Sequence, residues 1–530
     1  MDKRTILAIV LSLAVILVYQ IFFFKPPVKA PAPPQEPKKE ALAPPTKTIK
    51  ESTPQAGFEV KGEEKFVTVD TPLYKAVFTT KGAGLSSLRL KKYRKTLAED
   101  SELVDLVSLK KGMKAPLSVS LANPTWMLPD NIFYAVSQEK LDLNKGGKEG
   151  RLIFSTFIQG RLKVEKIFTF YPDRYTMDME LKVANLSREP LAVLATLNWY
   201  EYLDPKVEKD NYGHTGPVAL VKNDVERLEV KKITGEKVYG PGIAWGGFES
   251  KYFISAIIPS APSLTSLYIK KESVDDELVV QIRGEKLMIP SQEEATVNYR
   301  LYLGPKEYQL LKGEGVRLED AIDFGSWLKW LAMPLLITLN FFNKYIGNYG
   351  ISIILLTIFI KILFWPLGNK SYKSMKEMQK LQPKLLELRE KYKDDKQRLS
   401  QETMALYKAH KINPLGGCLP MIIQIPVFFG LYKALLYAIE LRHAPFFGWI
   451  KDLSAKDPYY ITPIVMGATM FIQQKMTPTG GDPMQQKIML WMPVIFTFLF
   501  LNFPSGLVIY WLFNNIISIG QQIYVNKRHG

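Results

Sequence analysis

The stretch TIFIKILFWPL, residues 357–367, places one lysine inside an otherwise apolar run. The run extends over 349–367, and its nineteen residues would form a helix of about 28 Å, enough to cross a bilayer. Ionisable residues inside such spans usually face a bundle interior or a water-filled cavity. We therefore predict a membrane-spanning helix in which Lys361 is functional. The alternative is that the lysine extends its ammonium group to the nearby interface.

Further apolar stretches predict five more spans. The first, 6–24, follows two basic residues and lacks a small-residue cleavage site, which indicates an uncleaved anchor with its amino end inside. The other four lie in the carboxy-terminal part, at 418–439, 459–472, 488–503 and 507–524. The spans 459–472 and 488–503 would reach only about 20 and 24 Å, which indicates a locally thinned bilayer or partial burial among neighbours.

The loop 368–415 determines the orientation. It carries twelve Lys/Arg against six Asp/Glu, which predicts that it lies inside the cell. With the amino terminus also inside, the loop stays inside only if the apolar segment 327–342 does not cross the membrane. We therefore predict that this segment is a helix in the outer interface, within residues 321–345. The chain then has six spans, with both ends inside and residues 56–320 outside.

The sequence of the loop predicts two helices. Apolar residues spaced three or four apart form a stripe on the first, and DDKQ predicts that Asp394 caps the second. The predicted hairpin carries a basic excess of six beside the anionic inner leaflet, which favours docking; a solvated hairpin without a partner is the alternative. The stripes comprise Met375, Met378, Leu381, Leu385, Leu388 and Tyr392, and Leu399, Thr403, Leu406 and His410.

The outer region has two parts. Residues 25–55 contain nine prolines among lysines and glutamates, a composition typical of an extended tether. Residues 56–320 alternate polar and apolar positions between Gly and Pro, which predicts an all-β domain, most simply an antiparallel sandwich. The net charge of +17 suggests an anionic partner, and the apolar sequence favours a membrane over nucleic acid.

Polar residues within the predicted spans are the candidate site. Thr357 lies four residues before Lys361 and shares its helix face, and Gln424 lies between Pro420 and Pro426. These residues fall in the inner half of the membrane, which predicts a shared hydrated groove closed toward the outside. The alternative for the amides is hydrogen bonding between helices. The last span contributes Trp511, Asn514, Asn515 and Ser518.

The sequence offers little for enzymatic chemistry. The four histidines are scattered, and neither metal-ligand spacing nor a nucleophile cluster is visible. The single cysteine, Cys418, excludes an intrachain disulfide and lies in an apolar run. We therefore predict no catalytic residues, no cofactor and no metal. WGGFESKYF, 245–253, is the most distinctive stretch of the β region; an aromatic core with turn glycines is favoured over a ligand site.

Four stretches carry a resemblance. NPLGGCLPMIIQIPVFFGLY (413–432), DLSAKDPYYITPIVMGATMFIQQKM (452–476), DPMQQKIMLWMPVIFTFLFLNFPSGLVIYW (482–511) and LQPKLLELREKYKDDKQRLSQETMALYK (381–408) resemble the YidC-type membrane protein insertase family. The similarity runs from about 323 to 522. The anchor (1–24), tether (25–55) and outer domain (56–320) resemble the gram-negative branch.

The resemblance implies a polytopic α-helical protein of the bacterial inner membrane with a β-supersandwich periplasmic domain similar to mutarotase folds and without enzymatic activity. It also implies a five-span core (346–526) that forms a groove open to cytoplasm and lipid. Lys361 stands where most members carry arginine, which keeps the charge but loses the planar fork. Gln424 and Trp511 match groove-lining positions. The implied partners are nascent membrane proteins, ribosomes, the Sec translocon and membrane lipids, without specific nucleic-acid recognition.

The expected function is therefore insertion of newly made transmembrane segments, alone or with the translocon. A fixed cation in a wet groove would attract acidic residues of a client, and burial of the client's apolar helix in lipid would supply the driving force. A secondary transporter of a small anionic solute is the alternative, but the sequence lacks the internal repeat typical of that class. A lipid-modifying enzyme is disfavoured, because it would need an acid/base or nucleophile cluster and the sequence shows none.

Overall fold

The computed structural model describes residues 62–110, 112–158, 161–202, 213–272, 277–325, 327–393, 395–410, 419–477 and 483–528. The predicted anchor and tether lie outside these residues. The chain divides into two units, one comprising 1–53 and 374–416 and the other 54–373 and 417–530. The larger unit contains the β domain and most of the helices; the smaller contains the described hairpin.

The region 66–305 is built of strands, as the polar–apolar alternation predicts. In β10, for example, LKVEKIFTF alternates buried and partly exposed positions over its first six residues. The strands are β1 (Phe66–Asp70), β2 (Tyr74–Thr79), β3 (Gly84–Arg94), β4 (Leu103–Ser108), β5 (Ser118–Ala122), β6 (Met127–Leu128), β7 (Ala135–Val136), β8 (Lys140–Asp142), β9 (Gly150–Ile158), β10 (Leu162–Phe170), β11 (Thr176–Asn185), β12 (Leu191–Tyr202), β13 (Gly216–Val221), β14 (Asp224–Arg227), β15 (Lys237–Tyr239), β16 (Ile243–Glu249), β17 (Phe253–Pro259), β18 (Ser266–Lys271), β19 (Glu277–Arg283), β20 (Leu287–Ile289) and β21 (Glu294–Pro305).

These strands form three sheets. Their orders are β4-β3-β2-β1-β8, β14-β13-β16-β17-β21-β11-β10-β9-β7 and β15-β18-β19-β12-β5-β6, with β20 also paired to β12. Pairing is antiparallel except between β1 and β8, which run parallel, so the antiparallel prediction holds for all described pairs but one. Phenylalanines fill part of the core: the ring centroid of Phe78 lies 4.9 Å from that of Phe168 and 6.0 Å from that of Phe154.

The helices follow the strands. They are α1 (Tyr308–Gly313), α2 (Lys329–Ile346), α3 (Tyr349–Lys380), α4 (Gln382–Lys391), α5 (Lys396–Ala409), α6 (Leu419–Tyr437), α7 (Ile461–Met476), α8 (Pro483–Phe500) and α9 (Ser505–Arg528). In the described residues, α3 is the one helix that is long and apolar enough by itself to cross a membrane, and residues Met489–Phe500 form a shorter apolar helical segment. The six predicted spans are thus not all distinguished by length and hydropathy.

The helix α1 lies within 56–320, which was predicted to be all-β, so that prediction is wrong at this point. Each of the other described helices overlaps a predicted segment, with shifted ends. The predicted span 349–367 begins where α3 begins, but α3 continues past Pro366 and Gly368 to Lys380. The interfacial segment predicted at 327–342 corresponds to α2, whose apolar side chains are exposed at Trp330, Phe341 and Tyr345. Exposed aromatic rings of this kind fit a membrane–water interface.

The predicted hairpin is present in the smaller unit, with α5 as its second helix. Its first helix is not continuous as predicted, because the stretch is divided at Leu381 between the end of α3 and α4. Leu381, Leu385 and Tyr407 form its buried core, with Met378 and Leu406 packed against them. The cap of α5 corrects the prediction. Asp395, one residue after the predicted Asp394, is the N-cap, and its carboxylate accepts a hydrogen bond from the backbone N–H of Arg398 at 2.9 Å. Asp394 lies outside the described residues.

Two contacts in the larger unit fasten the β domain to the helices. The guanidinium Nη2 of Arg442 donates to the carbonyl oxygens of Arg94 at 2.7 Å and Lys95 at 3.1 Å. In the segment between β21 and α2, the Asp323 carboxylate accepts a hydrogen bond from Tyr437 of α6 at 3.2 Å and lies 3.6 Å from the Lys433 ammonium. The larger unit is therefore held together by charged contacts as well as by apolar packing.

Candidate functional site

Lys361 lies in the middle of α3, and its side chain reaches the last helix. Its ammonium Nζ donates to the hydroxyl Oγ of Ser518 on α9, at 2.7 Å. That hydroxyl in turn donates to the backbone carbonyl of Asn514, one turn earlier in α9, also at 2.7 Å. The partner of the lysine is an uncharged group, which satisfies one N–H and neutralises no charge.

Close approach of α3 and α9 makes this contact possible. A Cβ at Gly368 would lie 2.7 Å from the side-chain Nε2 of Gln521, so the missing side chain leaves room for the amide. That Nε2 donates to the carbonyl of Trp365 at 3.1 Å and to Oδ1 of Asn369 at 2.9 Å. One turn of α9 is thus fixed against α3 beside the lysine.

The hydroxyl and amide residues of the candidate set on α3 and α9 are buried. Thr357 has 1% of its surface exposed, and its hydroxyl donates to the carbonyl of Ile353 at 2.7 Å within α3. Asn514 and Ser518 are 6% and 3% exposed. The Nδ2 of Asn515 donates to the Thr469 hydroxyl at 3.3 Å, which links α9 to α7. This contact fits the alternative that amides hold helices together.

Trp511 and Gln424 occupy a different part of α9 and α6. The indole of Trp511 packs edge-on against Phe428, with ring centroids 4.7 Å apart, and against Phe500 at 5.2 Å. Gln424 is partly exposed, and its side chain hydrogen-bonds the hydroxyl of Tyr510, the neighbour of Trp511. Trp511 thus joins α9 to α6 and α8 through apolar contact, while Gln424 joins α6 to α9 through a polar one.

The structure therefore brings three predicted residues, Lys361, Asn514 and Ser518, into one hydrogen-bonded chain. Thr357 lies one turn before the lysine, and the recorded contacts of Gln424 and Trp511 are with other side chains. The prediction missed Gln521, although it follows Asn514 by seven residues and Ser518 by three, a spacing that places all three on one helix face. It also missed Tyr372, whose hydroxyl hydrogen-bonds Ser518.

Comparison with known proteins agrees with the two-part architecture. Residues 66–338 match the family described as YidC periplasmic domain, and residues 341–530 match the family described as 60Kd inner membrane protein. The boundary between the two matches falls within α2, shortly after the last strand of the β domain. Together the two matches cover nearly all of the described chain.

Relatives match over the full length. A protein of Syntrophus aciditrophicus named membrane protein insertase YidC is 59% identical, covering 100% of both chains. A protein of the same name from Geobacter metallireducens is 43% identical over 99% of this chain and 98% of its own. A crystal structure described as an active YidC insertase with the first transmembrane domain resolved covers 88% of this chain and 93% of its own, with 19% identity and a TM-score of 0.38.

These matches confirm the resemblance inferred from the four sequence stretches. They also confirm a large β-sheet domain on the periplasmic side and a helical domain in the inner membrane. The expected activity, insertion of membrane proteins and not an enzymatic reaction, is that of the full-length relatives. The chain belongs to the YidC family of membrane protein insertases.

Proposed function

We propose that Lys361 is the electrostatic attractor of a hydrated groove, open to the cytoplasm and the lipid, that receives acidic residues of an incoming client. The observation that carries this proposal is the hydrogen bond from Lys361 to the uncharged Ser518 hydroxyl in the middle of an apolar helix. A lysine that served only as an interfacial anchor would extend toward the membrane surface. Here the ammonium instead points across to α9.

Polar groups on the neighbouring helices support a wet surrounding. Gln424 on α6 and Asn514 and Ser518 on α9 provide amide and hydroxyl groups within apolar helices. Thr357 adds a hydroxyl one turn from the lysine, and Trp511 provides an apolar wall. A cation in the bilayer centre costs about 3 kcal/mol against lipid, and less beside water. The groove would therefore lower the energy of the lysine and of a client carboxylate together.

Helix lengths support a short apolar path. The sixteen residues of α7 span about 24 Å, below the roughly 30 Å of a typical hydrocarbon core. A thinner apolar layer reduces the distance that a hydrophilic client tail must cross. Burial of the client's own apolar helix in lipid then favours completion of the transfer. In this account the insertase guides a favourable process.

The proposal includes an arrangement of the whole chain. Residues 1–24 anchor the protein, 25–55 form the tether, 56–320 lie in the periplasm, 321–345 lie in the outer interface and 346–526 form a five-span core. The hairpin 368–415 and both termini then lie in the cytoplasm. There the basic hairpin is placed to meet ribosomes carrying nascent chains and the anionic leaflet, while the Sec translocon is a partner within the membrane.

Site-specific photocrosslinking tests the groove. A photoreactive residue at Gln424 or Trp511 should crosslink to a stalled nascent chain that exposes its first transmembrane segment. The same residue at Phe157, 61% exposed on β9 of the periplasmic domain, is the control and should not crosslink. Equal crosslinking from all three positions, or none from the two groove positions in a stably expressed protein, would contradict the proposed groove.

A further inference from the structure

We infer that Ser518 is a positioning residue, which holds the Lys361 ammonium inside the helix bundle instead of contacting the client itself. The inference rests on the proposed function, since it assumes that the position of the lysine's charge matters for acidic clients. It assigns to Ser518 one task within the groove, and it predicts that removal of the hydroxyl affects insertion only through Lys361.

The hydrogen-bond directions around Ser518 follow from the chemistry of its neighbours. An ammonium has donors only, so the serine oxygen must accept from Lys361. A backbone carbonyl accepts only, so the single hydroxyl proton must go to Asn514. The hydroxyl proton of Ser518 and one of its acceptor positions are therefore committed to Asn514 and Lys361.

The hydroxyl is also fixed in place. Ser518 is 3% exposed, and its hydrogen bond to the carbonyl four residues earlier limits its rotation. The next turn of α9 is bound to α3 through Gln521, which donates to the carbonyl of Trp365 and to Asn369. A lysine has a flexible four-carbon stem and a compact charge, so a single well-placed acceptor is enough to choose its direction. Without it, the ammonium is free to extend toward the cytoplasmic interface.

The test is an insertion assay with the full-length protein in reconstituted vesicles. It uses one client in two forms, with and without acidic residues in the translocated tail. Ser518→Ala should slow insertion of the acidic form by about three- to tenfold, the fold-change that corresponds to the net contribution of one ordinary hydrogen bond. Ser518→Thr keeps the hydroxyl and should behave nearly as wild type. The form without acidic residues should be little affected by either change.

A matched control comes from α3. The Ser352 hydroxyl makes the same kind of bond, donating at 2.9 Å to the carbonyl of Asn348 four residues earlier, and Ser352 is fully buried. Ser352→Ala therefore removes an equivalent bond at a position with no recorded contact to the lysine, and both client forms should insert at the wild-type rate. Thermal unfolding midpoints of the three serine variants in detergent confirm that each is folded.

A double-mutant comparison separates positioning from structure. In a Lys361→Leu background, Ser518→Ala should cause no further loss, because the group that it positions is gone. Equal slowing of both client forms, or the same loss in both backgrounds, would show a structural role and overturn the inference. If Lys361→Leu inserts the acidic client as fast as wild type, the proposed function fails. If Lys361→Leu is slow and Ser518→Ala is not, only this inference fails.

Discussion

Lys166, Lys306 and Lys361 are buried or partly buried, and their partners differ. Lys166, within the β domain, is fully buried and donates to the carbonyls of Gly82, Ala83 and Leu117. Lys306 is buried 3.1 Å from the Glu249 carboxylate, and burial lowers the pKa of both Lys166 and Lys306. Lys361 has one neutral hydroxyl. This difference is consistent with the proposal that Lys361 attracts a client carboxylate.

The sequence reveals the environment of Lys361 better than that of Lys166. Lys361 interrupts a long apolar run, so its isolation is visible without a structure. Lys166 stands in LKVEKIFTF in register with Val164 and Phe168, so strand alternation places it on the buried face but does not show what it binds. Its carbonyl partners come from Gly82, Ala83 and Leu117, far away in the chain, and no local pattern announces them. Ser518 was a candidate because it is a polar residue in a predicted span. Its hydrogen bond to Lys361 was not predictable, because the two residues are far apart in the chain.

Glu440 provides a test at the residue scale. It lies in the turn after α6, where Asn340 donates to its carboxyl at 3.1 Å, and burial raises its pKa to about 7. Between about pH 4.5 and 7, the unfolded state is ionised while the folded state stays protonated, so this group lowers stability as the pH rises through that window. Glu440→Gln should therefore be more stable than wild type at pH 8, by on the order of 1–3 kcal/mol, and nearly equal at pH 5.

Thermal unfolding of the two proteins in detergent at both pH values measures this difference. Other titrating groups are common to both proteins and cancel in the comparison. A Glu440→Gln advantage that is larger at pH 5 than at pH 8 would show that the carboxyl is ionised in the folded state.

At the element scale, the type of each helix was predictable and its ends were not. Apolar stretches in the sequence locate α3, α6, α7, α8 and α9, but the apolar run of the first predicted an end at Leu367. Pro366 removes only one backbone donor, and Gly368 is accommodated against Gln521, so α3 continues to Lys380. The strand pattern gave the β domain, whereas sheet order depends on long-range pairing that local alternation does not encode.

Gly467 provides a test at the element scale. It is buried in α7, and a Cβ placed there would collide with the Thr497 hydroxyl on α8. Small residues allow membrane helices to approach closely, so Gly467→Ala should destabilise the protein by about 1–3 kcal/mol. Adding Thr497→Ala should restore part of the loss, because it removes the colliding atom.

Gly520 is the matched control. It lies in α9 with nothing within 4 Å of a Cβ, so Gly520→Ala should leave the unfolding midpoint nearly unchanged. If Gly467→Ala and Gly520→Ala unfold at the same temperature, close packing of α7 on α8 does not contribute to stability.

At the scale of the whole molecule, the β domain and the helices are connected by specific contacts and not only by the chain. Arg442 reaches carbonyls at the end of β3, and Asp323 meets Lys433 and Tyr437 of α6. The first contact joins the turn after α6 to the β domain, and the second joins the segment before α2 to α6. Neither contact is visible in the sequence, since each joins residues more than a hundred positions apart.

Labelling with an impermeant maleimide tests the proposed orientation. In a Cys418→Ser background, a cysteine replacing Lys148, exposed in the β domain, should react in spheroplasts. A cysteine replacing Ser400 in α5 should react only in inverted inner-membrane vesicles, because the basic loop remains inside. Reaction of the Ser400 position in intact spheroplasts would contradict the six-span arrangement.

The most direct test of the central claim is a paired insertion assay on Lys361 in reconstituted vesicles, with one client carrying or lacking acidic residues in its translocated tail. If the charge attracts the client, Lys361→Arg should insert both forms nearly as wild type does. Lys361→Leu should fold at least as well as wild type, since it removes a charge from an apolar helix, yet it should insert the acidic form several-fold more slowly, a loss of about 1 kcal/mol. The form without acidic residues should be much less affected. Equal rates for Lys361→Leu and wild type on the acidic client would contradict the account and leave Lys361 as an interfacial anchor.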